Sequence, residues 1–188
     1  MRRHSALLIG ILSLATLTGC ASGAADGVSV SPAPTSETPD TSQGPDAAAR
    51  AQAQAWIDAA TVPPDAVRSA SAIGGFHSYQ GWPCQPVIEQ EAYWTISGMT
   101  VAETANWLAA NPTADLVSTA VGTVDEEGDY DEATVGYIPA DDSQQGVVYT
   151  VAKKEDGVAI RAEVAALTES AVCPSLPPGS IMGKPGQG

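Results

Sequence analysis

The chain has 188 residues, of which 44% are hydrophobic and only 16% charged, and its formal net charge is −14. That length and apolar content suffice for one ordinary core; with aromatics at 5%, alanine, valine and threonine must fill most of it. A chain this acidic is repelled by nucleic-acid phosphates and anionic headgroups, and its basic residues form no cluster beyond Lys153-Lys154, so nucleic acid is excluded as a partner.

Residues 1–19 read as a signal peptide. Arg2 and Arg3 form a basic flank, and Ala6 to Leu17 form an apolar run of about a dozen residues, too short to cross a hydrocarbon core of ~30 Å as a helix. Leu17-Thr18-Gly19-Cys20 resembles the lipobox of bacterial lipoproteins. The resemblance implies a diacylglycerol thioether on Cys20, cleavage just before it, and acylation of the new amine, as by palmitate. Two or three acyl chains exceed the threshold for stable anchoring. The expected location is therefore the outer face of the cell membrane, and loss of the two arginines takes the formal charge from −14 to −16.

Three cysteines are an odd number for an exported protein. Assigning Cys20 to lipid leaves Cys84 and Cys173, which an oxidising compartment permits to pair; two buried free thiols are the alternative. A metal site lacks ligands, because His77 is the only histidine beyond the signal peptide and no CxxC spacing occurs.

Residues 20–45 comprise Cys20 and a Ser/Thr/Pro-rich stretch with no apolar period, expected to be a disordered tether. Residues 46–173 carry the folded domain. Asp46 is placed to cap a helix whose buried stripe is Ala49, Ala53, Trp56, Ile57 and Ala60, stopped by Val62-Pro63-Pro64. A short strand over Val67 to Ile73 and a Gly/Pro/aromatic loop over residues 74–86 follow. Ile88, Gln90, Ala92, Trp94 and Ile96 alternate with Glu89, Glu91, Tyr93 and Thr95, the period of a half-buried strand. Thr100-Val101-Ala102-Glu103 is a capping box opening a helix from Val101 to about Ala110 that buries Val101, Ala105, Leu108 and Trp107; Asn111-Pro112 ends it.

Four strands are predicted beyond it: Leu116 to Val124, Glu132 to Ile138, Val147 to Lys153 and Val158 to Ala166. The last two form a hairpin turning at Asp156-Gly157, with Val147, Tyr149 and Val151 and then Val158, Ile160, Ala162 and Val164 facing the core. The Pro/Gly-rich residues 174–188 read as a tail that loosens toward its end. The predicted fold class is α+β: a single domain with an antiparallel sheet of five to six strands and two helices on one face.

From Trp56 onward the chain resembles uncharacterised secreted lipoproteins of high-GC Gram-positive, actinobacterial-type bacteria. The resemblance is carried by Trp56, Pro63-Pro64 with Ala66-Val67, Tyr93-Trp94, Trp107-Leu108 with Pro112, and the terminal hairpin ending near Cys173-Pro174. It departs at Asp65, where such proteins often carry glycine. It implies an envelope location and an α+β domain, and it transfers no catalytic residue.

No catalytic constellation is visible. His77 is the only candidate imidazole base and has no GxSxG elbow beside it. Asp125, Glu127 and Asp129 invite a calcium reading, but the EF-hand positions for glycine and glutamate hold Tyr130 and Gly136; a solvated acidic turn is the simpler reading. Glu89 and Glu91 lie on one strand face and do not flank a cleft as a glycosidase pair must. Phe76, His77, Tyr79 and Trp82 make a candidate ligand or partner surface, the alternative being that Cys84 pins the loop and its rings pack beneath it. The expected function is a non-catalytic binding domain of the cell envelope, without cofactor, recognising an envelope protein or small ligand. A one-domain carrier of lipid or solute and a small envelope enzyme using His77 are the alternatives.

Overall fold

The computed structural model describes Gly44 and residues 46–187. The predicted signal peptide, Cys20 and all of the predicted tether except Gly44 lie outside the described residues. Those described form one antiparallel six-stranded sheet with two helices on one face, the predicted α+β class. Along the chain run α1 (Ala47–Asp58), β1 (Val67–Ser69), β2 (Gln85–Ser97), α2 (Val101–Ala110), β3 (Val117–Ser118), β4 (Glu132–Ile138), β5 (Gly146–Lys154) and β6 (Gly157–Val172). Across the sheet the order is β1-β2-β6-β5-β4-β3. No helix among the described residues is long and apolar enough to cross a membrane.

The local signals place most elements where the sequence puts them. Helix α1 buries Ala49, Ala53, Trp56 and Ile57, the predicted stripe, with Ala60 partly buried beyond its end. Asp46 sits at the N-cap position, but its φ of 71° is left-handed and its side chain accepts no capping bond. An effective cap needs an extended backbone to aim its oxygen at the first free amides. At α2 both halves of the capping box form: the Thr100 hydroxyl accepts from the Glu103 amide at 3.1 Å, and the Glu103 carboxylate accepts from the Thr100 amide at 2.8 Å. Thr100→Ala is expected to lower stability by about 1 kcal/mol in denaturant unfolding. These bonds hold the Glu103 carboxyl below its ordinary value. Its contribution is therefore present above the unfolded-state value and lost as pH falls through the folded one. The stability difference between wild type and Glu103→Gln should shrink in acid.

Three expectations about strands and turns are corrected. The first predicted strand stops at Ser69, because the Ser69 hydroxyl donates to the Ser71 carbonyl at 2.7 Å and accepts from the Ser71 amide at 3.3 Å, and such local bonds compete with a ladder. Of the span Leu116 to Val124, only Val117–Ser118 pairs, against Ile138 and Tyr137. Farther on, Asn106 takes both backbone groups of Val124 at 2.8 Å, while Val121 is 95% exposed. The β5–β6 turn consists of Glu155 and Asp156, since Lys154 already pairs with Gly157. Gly157 has φ 149°, and a Cβ there would strike the Ile96 carbonyl.

The main core lies between sheet and helices: Ala92, Trp94 and Ile96 of β2, Val147, Tyr149 and Val151 of β5, and Val158, Ile160, Ala162 and Val164 of β6 meet the helical stripes. Trp107 is only partly buried at its margin. Two buried tyrosines anchor α2 and the segment after it: Tyr137 donates to the Leu108 carbonyl, and Tyr149 and Thr113 share a bond of 2.6 Å.

The opposite face of the sheet is covered too. The loop between β1 and β2 crosses it, and so does the C-terminal tail, whose residues Pro185 to Gln187 bond to the loop and to Thr119. Pro185 is buried, its carbonyl accepts from Thr119 at 2.8 Å, and the Gly186 amide donates to Gln80 Oε1 at 3.0 Å. Gly136 in β4 makes this fit possible, because a Cβ there would overlap the Pro185 carbonyl.

Candidate functional site

The aromatic loop is held down by two acidic side chains and an arginine that the sheet presents from beneath it. Glu132 opens β4, and its carboxylate accepts from the amides of His77 at 2.6 Å and Ser78 at 3.2 Å and from the Ser78 hydroxyl at 2.9 Å. Glu163, midway along β6, accepts from the Gln80 amide at 3.2 and 3.1 Å. Two residues earlier on the same face, Arg161 Nη2 donates to Glu163 at 2.6 Å, to Thr150 Oγ1 at 3.2 Å and to the Ser78 carbonyl.

The Arg161 guanidinium lies between two rings. Its central carbon is 4.7 Å from the Phe76 centroid and 4.0 Å from that of Tyr79, well within cation–π range. Phe76 in turn leans on Tyr93 of β2 at 6.1 Å. Arg161 is fully buried, and among the described residues its Nε and Nη1 have no hydrogen-bond partner. The ring faces supply the attraction those groups lack from oxygen acceptors.

Burial pushes the Glu163 carboxyl above its ordinary value, and the Gln80 amide and Arg161 pull it back only in part. Burial, with the adjacent Glu91, raises the Tyr93 hydroxyl to about 12. Farther along the loop Trp82 packs on Val148, Ala165 and Val87, and the Cys84–Cys173 disulfide ties its end to the end of β6. The predicted pairing of the two cysteines is formed.

The four candidate surface residues therefore divide. Trp82 is buried and Phe76 half-buried, so those rings serve the packing beneath the loop. Tyr79 is 69% exposed although one of its faces covers Arg161, and the His77 side chain is 82% exposed. His77 Nδ1 stands 3.7 Å from Glu132. Ser78 also bonds Glu132, so the carboxylate lies between hydroxyl and imidazole. An acyl-transfer triad needs the imidazole between the other two.

The acidic turn between β3 and β4 does not converge on a point. Asp125 accepts from the Glu127 amide, and Asp129 pairs with Lys153; among the described residues no three His, Cys, Asp or Glu side chains gather as a metal would require. Glu89 and Glu91 are exposed on β2. The space between helices and sheet is filled by Trp56, Ile57, Trp94, Leu108, Tyr137 and Tyr149, and a groove of about 580 Å3 lies on the surface between α1 and β2.

Sequence reading singled out the loop but missed the buried pair beneath it. A signal existed: β5 and β6 carry apolar residues at successive positions, Val147-Val148 and Ala165-Ala166, the mark of a strand covered on both faces. Comparison with protein-family models, curated proteins and solved structures finds no match to this chain.

Proposed function

We propose that this chain is a lipid-anchored lipoprotein of the outer membrane face, of the actinobacterial-type family it resembles, whose domain is a non-catalytic binding module of the cell envelope. The observation that carries the binding reading is the loop. A buried ion pair, a second carboxylate and a disulfide fix residues 76–84, yet the outermost groups, Tyr79 and His77, face solvent. A rigid loop presenting an aromatic residue loses little conformational entropy on binding, and tyrosine joins apolar area to a polar tip. Support for the anchor comes from the cysteines: with Cys84 and Cys173 joined, Cys20 is the one thiol left for lipid, and a structural disulfide suits an oxidising compartment.

Tyr79 is the residue to substitute, because Trp82 is buried and its loss would disturb packing. In affinity capture from the producing cell's envelope, Tyr79→Ala is expected to lose the partners that wild type enriches, with a stability loss of no more than about 2 kcal/mol from the removed stack on Arg161, whereas Tyr79→Phe keeps that stack and tests the hydroxyl alone. An unchanged partner set would end the binding reading for this loop. Intact mass spectrometry of the native product is expected to show a chain starting at Cys20 with two or three acyl groups; a free thiol with residues 1–19 attached would remove the anchor.

A further inference from the structure

The outer edge of β2 is only partly used. Strand β1 pairs with Tyr93, Trp94 and Thr95 and no farther, whereas β2 runs back to Gln85 and pairs with β6 along its other side. From Val87 to Ala92, no strand among the described residues pairs with β2 on the side away from β6. Such an edge is a row of backbone donors and acceptors able to receive a further strand. Beside it lies the groove of about 580 Å3, lined from α1 by Ala47, Arg50, Ala51 and Gln54 and from β2 by Ile88 to Gln90.

Strand alternation fixes what an incoming chain would meet. On the helix side its side chains face Ala47 and Ala51 of α1 next to Ile88, which accept small apolar groups, while Arg50 beside them disfavours a cation on this side. On the opposite side they come beside Glu89 and Glu91, both exposed. Two like charges opposite each other across a ladder are destabilising and opposite charges favourable. A second copy pairing through this edge would set glutamates against glutamates between chains of formal charge −14. A basic strand meets no such penalty.

We infer that the Val87–Ala92 edge of β2 receives an extended basic peptide segment, with Lys or Arg at alternate positions and small apolar residues between, as an added antiparallel or parallel strand. This site does not use Tyr79 and does not rest on the lipid anchor; Glu91 accepts from Tyr93, on which Phe76 of the loop leans, so Glu89, which has no such link among the described residues, is the first residue to substitute.

The test titrates the full chain with a labelled peptide of alternating lysine and valine, with an alternating glutamate and valine peptide as control, and maps amide hydrogen exchange. The expected result is saturable binding of the lysine peptide alone, with new protection confined to Val87–Ala92. Glu89→Lys should weaken it about tenfold, and Glu89→Lys with Glu91→Lys should reverse the preference between peptides. Tyr79→Ala should leave binding unchanged, which separates failure here from failure of the loop reading. The proposal is overturned by absence of saturation, by protection elsewhere, or by equal affinity in the charge-reversed chain. It is equally overturned if these amides are already protected in the free chain, by a second copy when protection grows with concentration or by the chain's own residues when it does not.

Discussion

Arg161→Met is expected to destabilise the fold by about 3–5 kcal/mol, because it leaves the Glu163 carboxylate buried without its cation. The side chains of this pair are 1% and 8% exposed, so water cannot replace the lost partner. The same change removes the charge between Phe76 and Tyr79 and the bond to the Ser78 carbonyl, so the loop should also open, seen as faster amide exchange at Ser78 and Gln80. The loss should depend on pH with a definite sign. The Glu163 carboxyl is already raised by burial, and removing Arg161 takes away an opposing pull. A group raised on folding contributes stability below its unfolded value and loses it as pH rises through the folded value. Urea unfolding should therefore show a larger deficit at neutral pH than at about pH 5. Replacing both members, as Arg161→Met with Glu163→Leu, should recover much of the loss, since well-packed apolar substitutes for a buried pair are often neutral or better. A double variant no more stable than Arg161→Met would place the cost in the ring stack and not in the stranded carboxylate.

The second large effect is expected from the disulfide. Cys84 and Cys173 are separated by 89 positions, and on the chain-entropy model closing a loop of that length stabilises by ~4.5 kcal/mol. Cys84→Ser with Cys173→Ser should lower unfolding stability by about that amount, read as an earlier denaturant midpoint. Cys84 is fully buried, so Cys84→Ala with Cys173→Ala is the control that avoids burying a hydroxyl. A loss much below the entropic value in the alanine pair would mean that the reduced, unfolded chain keeps structure across this loop. Because the bond ties the loop to the end of β6, the reduced protein should also lose protection at Trp82 before the helical core opens.

These two effects show how unevenly the fold was written in the chain. Helix α2 is legible to the residue, because its cap is a four-residue signal whose bonds form inside it. Strand β4 is legible for a similar reason, with its span of Glu132 to Ile138 bounded by an acidic turn and by Pro139. Asp46 misleads because residue type alone does not set the backbone angle on which capping depends.

By itself the sequence determined what short-range chemistry decides: the two helices and their buried stripes, the hairpin that joins β5 and β6, and the α+β class; counting cysteines made the pairing of Cys84 with Cys173 the expected one, with free thiols as the alternative. Only the tertiary structure decided which segments cover the second face of the sheet, that Arg161 and Glu163 beneath it are buried, that the tail docks through Pro185, and that β2 outruns β1, leaving Val87 to Ala92 without a strand partner on that side among the described residues. The physical reason is range. Caps, stripes and turns are set by residues three or four apart. Whether a strand's polar side is wet or dry depends on a loop and a tail 83 and 24 positions from Arg161 in Ser78 and Pro185; successive apolar residues in β5 and β6 mark a second covered face, but no local pattern names the segments that return to cover it.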